Sequence, residues 1–126
     1  MLSTILLLSV SILTTVGAQL FIKKGAFGLE RVDISLAGIF NFLLGLLQNV
    51  WIMSGLFLFG LSFLLWIVML SKFQLNIIYP VVVSLNFCLI TISSWFIFKE
   101  YLSLVQILGI AVIIAGTFLV LSKGLN

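Results

Sequence analysis

Ser11, Thr15, Gln19 and Lys23 recur every four residues along an otherwise apolar stretch. That spacing sets them on one slowly drifting helical face. Three neutral hydrogen-bonding groups leading to one ammonium suit a groove wall for an anionic or polyhydroxy group, with Lys23 as a point charge for phosphate. The plainer readings are a snorkelling Lys23 and a Gln19 that only bridges helices. A second stripe carries Asn76, Tyr79, Val83, Asn86, Ile90 and Ser93, with Pro80, the single proline, among them. Pro80 lacks a backbone donor, so it frees a carbonyl near the helix start or kinks the helix. Tyr79 and Asn86 are expected to face the same cavity as Gln19. An interfacial belt is the rival reading for Tyr79, and Asn86 lies too deep for one. A third face presents Gly55, Phe59, Ser62 and Trp66, with Trp66 either lining the cavity or anchoring the belt; Trp51 and Trp95 read as interfacial anchors.

Some chemistry is missing. No Asp or Glu lies inside an apolar run: Glu100 is at the end of one, and Glu30 and Asp33 fall between two. A proton-coupled exchanger normally needs an intramembrane carboxylate. No nucleophile–base pair or phosphate-cradling glycine loop is present, so no enzymatic activity is expected. There is no His, and the one Cys, Cys88, reads as a small buried side chain. Neither a disulfide within the chain, a metal site nor a cofactor is expected. The net charge of +3 is too small and scattered to suggest nucleic acid.

These residues need a frame that holds them in hydrocarbon. The chain is 63% hydrophobic and 7% charged, with mean hydropathy +1.44; soluble domains are about 25% charged. Its 126 residues have room for about four spans of roughly 20 residues, read here at 2–22, 52–71, 75–98 and 103–121. Lys23 and Lys24 follow the first run rather than precede it, the wrong order for a cleaved signal peptide, so the first span is expected to stay. Ser103-Leu-Val-Gln106 reads as a capping box opening the last span. The segment 34–50 is apolar but short. Gly38, Asn41, Gly45 and Gln48 share one face of it, which suits an interfacial or half-inserted helix, with a fifth span as the alternative.

Short links around Lys72-Phe-Gln74 and after Lys99-Glu100 make consecutive spans antiparallel neighbours in a compact four-helix sheaf. Lys23, Lys24, Arg31 and Lys99 lie on one side, Lys72 and Lys123 on the other. That leans toward both termini outside, in a nearly balanced chain that could pair with an oppositely oriented partner. Gly109 and Gly116, seven apart with Ala111 and Ala115 nearby, read as a close helix contact between protomers or within one.

Three stretches carry a resemblance: Gly17-Ala-Gln19-Leu20-Phe-Ile-Lys23-Lys-Gly25; Leu65-Trp66-Ile-Val-Met-Leu70 with Ile78-Tyr79-Pro80 and Ser84-Leu85-Asn86-Phe87; and Lys99-Glu100 with the run from Gly109 to Gly116. In this order they resemble the drug/metabolite transporter superfamily in its smallest, four-helix form. Within it the chain most resembles the small subunits of aminoarabinose–undecaprenyl-phosphate flippases and their EamA-like relatives. It is also similar to the small multidrug resistance exporters, which carry an essential Glu where this chain has Thr14. That departure argues against proton-coupled drug or guanidinium export. The exporters' seven-spaced glycines mediate dimer contact, so the resemblance implies the same of Gly109 and Gly116: an antiparallel dimer, with itself or a sister subunit, in place of the inverted repeats of larger transporters.

The expectation is an all-α membrane protein of one domain, 1–126, with four transmembrane helices plus an interfacial helix between the first and second, multi-pass in the inner (cytoplasmic) membrane. It would be a transporter or flippase subunit moving a lipid-linked sugar of polyprenyl-phosphate type or a related amphiphile. Substrate would meet Gln19, Lys23, Thr15, Trp66, Tyr79 and Asn86. A small-cation exporter of the same architecture and a non-transporting scaffold subunit are the alternatives.

Overall fold

In a computed structural model, which describes residues 2–29 and 35–124, five helices follow one another: α1 (Leu2–Ala26), α2 (Leu36–Gln48), α3 (Val50–Lys72), α4 (Leu75–Phe98) and α5 (Leu104–Gly124). Glu30, Arg31, Asp33 and the first residue of the expected 34–50 segment lie outside the described residues. Four of the helices are long and apolar enough to cross a membrane. In hydrocarbon a helix satisfies its own backbone, so long apolar runs take that form.

The ends are set by local chemistry. α1 runs four residues past the expected stop at 22 and so takes Lys23 and Lys24 into its last turn, where cations complement the helix dipole. Asn49 divides what reads as continuous apolar sequence into α2 and α3. Its Oδ1 accepts from the backbone N–H of Trp51 at 3.0 Å and of Ile52 at 3.3 Å, while its Nδ2 donates to the Gly25 carbonyl at 3.0 Å. One amide thus caps the start of α3 and ties it to the end of α1. Ser35 caps α2 through the Gly38 N–H at 3.0 Å. The capping box at α5 forms: the Ser103 N–H reaches Gln106 Oε1 at 2.9 Å, and the Gln106 N–H reaches Ser103 Oγ at 3.3 Å.

α1 is the hub. It packs along α3 and more lightly along α4, while α3 and α4, joined at Phe73–Gln74, touch each other sparingly. The core is Ile12 and Val16 of α1, Met69 of α3, and Ile78 and Val82 of α4. Toward the other end, small residues bring α1 and α3 together. A Cβ on Gly55 would lie 2.9 Å from the Ala18 carbonyl oxygen and 3.0 Å from the Ile22 nitrogen; one on Gly25 would lie 3.0 Å from the Ile52 nitrogen.

The compact four-helix sheaf expected from the short links is a three-helix group with an outlier. α5 contacts only α4 among the described residues, and none of its apolar window is buried. The link between them is a hydroxyl pair, Ser84 and Thr117, at 2.5 Å. Gly109 and Gly116 meet no side chain or neighbouring helix within 4 Å, so within this protomer they serve no close packing.

Candidate functional site

Because α3 and α4 meet near their turn and little beyond it, a cleft opens between them, with α1 as its floor. Its lining is Ser11 and Thr15 of α1, Phe59, Ser62, Phe63 and Trp66 of α3, and Tyr79, Val82, Val83 and Asn86 of α4. Its volume is about 190 Å³. Enclosed drug-sized pockets run from about 300 Å³ upward, so the cleft has room for one ring-sized group with the rest of a ligand outside.

Two hydroxyls of the cleft are held from within. Thr15 Oγ1 donates to the Ser11 carbonyl at 2.8 Å, and the Thr15 and Ser62 hydroxyls are hydrogen-bonded to each other, joining α1 to α3. Asn86 differs: its side-chain oxygen is buried and, among the described residues, has no partner. Such an acceptor in an apolar setting is costly unless something fills it. Two turns nearer the α3–α4 connection, the Trp66 and Tyr79 rings meet edge-on at 5.8 Å between centroids. On the far side of α4, Ser84 donates back to the Pro80 carbonyl at 2.5 Å. The helix continues through Pro80, leaving the Asn76 carbonyl without its usual donor.

Four of the six predicted substrate residues therefore converge: Thr15, Trp66, Tyr79 and Asn86. Gln19 and Lys23 do not line this cleft. Gln19 is exposed and finds no hydrogen-bond partner among the described residues. Lys23 lies eight residues beyond Thr15, about 12 Å along the helix, where it enters a second constellation. Its Nζ donates to Ser94 Oγ at 3.1 Å and to Glu100 Oε1, and the Ser94 hydroxyl donates to Glu100 Oε2. The Phe98 ring lies under the ammonium, 4.9 Å away at its centroid. Bonding to Lys23, then to Ser94, holds the Glu100 carboxyl below the usual glutamate range. Lys24 instead sits over Trp51 at 3.6 Å, and Trp51 stacks on Phe21.

Sequence reading missed Glu100 as the partner of Lys23, 77 residues away; no spacing signal links the two. It also missed Asn49, whose position before an apolar run was a legible cap signal. Ser11 reads in the sequence as part of the groove wall but not as a substrate residue, and Ser62 only as a member of its face. Thr14, at the position of the exporters' glutamate, donates to the Val10 carbonyl at 2.6 Å, an ordinary helix contact.

Fold and cleft together define a small, multi-pass helical membrane protein with a largely apolar, aromatic-lined opening that holds a few polar groups. No family model matches the chain, and no solved structure matches it. Curated relatives do. The chain is 35% identical over 122 residues, 93% of its own length and 94% of the relative's, to the probable 4-amino-4-deoxy-L-arabinose-phosphoundecaprenol flippase subunit ArnE of Yersinia pseudotuberculosis. It is 32% identical over 114 residues, 90% and 92% of the two chains, to the protein so named in Pseudomonas savastanoi pv. phaseolicola. To the one in Pseudomonas fluorescens it is 34% identical over 73 residues, 58% of this chain and 63% of that one. The chain belongs to the ArnE family of flippase subunits, and is a multi-pass protein of the inner membrane.

Proposed function

We propose that this chain is one subunit of a carrier that moves a sugar linked to a polyprenyl phosphate across the cytoplasmic membrane, as the names of its relatives state for them. The observation that carries this reading is the cleft: a lateral opening of about 190 Å³ lined by Trp66, Tyr79 and Asn86, whose side-chain oxygen is the one buried unpartnered side-chain atom among the described residues. A sugar donates hydroxyl hydrogens to such an oxygen and stacks its ring on Trp66 or Tyr79, while the prenyl tail stays in lipid. Thr15 and Ser62 supply further hydroxyls at the floor. No carboxylate lines the cleft, so proton exchange at the binding site has no group to run on, and the lipid's own gradient is the simplest driving force. The exporter and scaffold readings lose ground to the same features.

The cleft is open on one side, and a second four-helix subunit, a copy or a sister, would complete the path. α5 is the face for it, with Gly109 and Gly116 uncovered and small enough for a close helix crossing. α2, 13 residues and about 20 Å long, is shorter than the roughly 30 Å hydrocarbon core. It has no buried residue and presents Gly38, Asn41, Gly45 and Gln48 to one groove. It belongs at the membrane surface.

The test is flux. The subunit and its partner are reconstituted in liposomes with the aminosugar lipid, and translocation is followed by exposure of the amine to a membrane-impermeant reagent. Asn86→Leu and Trp66→Ala should each slow translocation about tenfold or more, the scale of losing a hydrogen bond or an aromatic contact at a binding site. Unchanged rates in both would refute the assignment of the cleft.

A further inference from the structure

The constellation at Lys23 has the chemistry of an anion site whose occupant is the chain's own carboxylate. We propose that Glu100 is a built-in stand-in for the substrate's phosphodiester, occupying a phosphate-reading station at Lys23 and Ser94 until the lipid displaces it. This rests on the carrier reading above and adds to it a second station and its control.

The pattern of donors is the argument. Each oxygen of Glu100 takes one donor, Oε1 from Lys23 and Oε2 from Ser94. A phosphodiester also carries one negative charge and two free oxygens, so it can accept the same two donors with the same charge balance. Ser94 is buried at 7% exposure, its hydroxyl fixed by Lys23; the station is built into the helices and does not depend on a loop. Lys23 and Glu100 are half open, with side chains 36% and 48% exposed, so a lipid head group at the membrane surface has access. Glu100 is held by a half-exposed ion pair, a contact of small net strength that another anion can replace. It follows Lys99, which ends α4 in the left-handed region at φ 53° and so turns the chain back toward Ser94.

Distance separates the two stations. Thr15 and Lys23 are about 12 Å apart along α1, further than a sugar lies from the phosphate that carries it. Lys23 therefore reads the phosphate at the connection side of the membrane, at a station apart from the cleft that takes the sugar.

The experiment measures binding by the full chain, with its partner, in phosphatidylcholine nanodiscs. The probes are a short polyprenyl methyl phosphodiester and the neutral polyprenyl methyl ether of the same length. Wild type should prefer the phosphodiester. Glu100→Gln removes the competing charge and should tighten phosphodiester binding about threefold to fivefold, the scale of a half-exposed ion pair, without altering the ether; Lys23→Gln should abolish the preference in either background. Should Glu100→Gln fail to assemble, Glu100→Asp draws the carboxylate back by one methylene while keeping every charge and both station donors. Holding Lys23 and Ser94 less well, it should tighten phosphodiester binding about twofold. Wild type that prefers the phosphodiester, with neither variant tightening it, overturns the stand-in and leaves the carrier reading intact. A wild type blind to the phosphate overturns the station altogether, while the carrier reading stands or falls by the flux of the Asn86 and Trp66 variants. An equal gain for phosphatidylglycerol would mean that the station reads bilayer phosphate, and would overturn its assignment to substrate.

Discussion

In the proposed carrier, Asn86 and Glu100 matter most, for opposite reasons. Asn86 has an oxygen with nothing to bond; Glu100 has both oxygens taken. An unsatisfied buried acceptor costs stability, so Asn86→Leu should unfold at an equal or higher temperature than wild type while transport falls. A variant that loses both would mark Asn86 as structural. Glu100 gives a pH signature. Its carboxyl is lowered by Lys23 and then Ser94, so its contribution is present above the unfolded glutamate value and is lost as pH falls through the lower folded value. Thermal melts between pH 7 and pH 3 should show wild type converging on Glu100→Gln at the acid end; a constant gap between them would contradict the pairing. Both residues stood in the sequence, but only Asn86 was legible, because it lies on a stripe within one helix. Glu100 reads as a helix-end charge until the chain reversal at Lys99 brings it to Ser94.

Among the helices, the tightest fit is between α1 and α3. Gly55→Ala places a methyl against the Ala18 carbonyl and the Ile22 nitrogen. Backbone does not yield as a side-chain tip does, so the cost should be about 1–3 kcal/mol, read as a lower unfolding midpoint in detergent. Gly109→Ile and Gly116→Ile make the contrasting case. Nothing within the protomer opposes them, so they should leave monomer stability within about 0.5 kcal/mol and weaken subunit association, as measured by cross-linking yield. Association unchanged in the double variant would exclude this face. Spacing reads Gly109 and Gly116 as a contact between protomers or within one, and among the described residues of this protomer nothing meets them; Gly25 and Gly55 act through partners on another helix, which no spacing shows. The capping box and the four apolar runs were legible because each is written within one stretch of chain.

For the molecule as a whole, hydropathy along the chain determined that it lives in a membrane as four long helices, and helical periodicity determined which polar residues share a face. Both are local: they depend on residues within a turn or two of one another and on the cost of polar groups in hydrocarbon. Tertiary structure decided how those faces meet. It put Thr15, Trp66, Tyr79 and Asn86 around one cleft, moved Lys23 to a separate station, and left α5 uncovered. No local pattern encodes these outcomes, because the turn of α3 against α4 and the reversal at Lys99 set distances between residues far apart in the chain, and those distances decide which polar groups satisfy each other and which remain for a ligand.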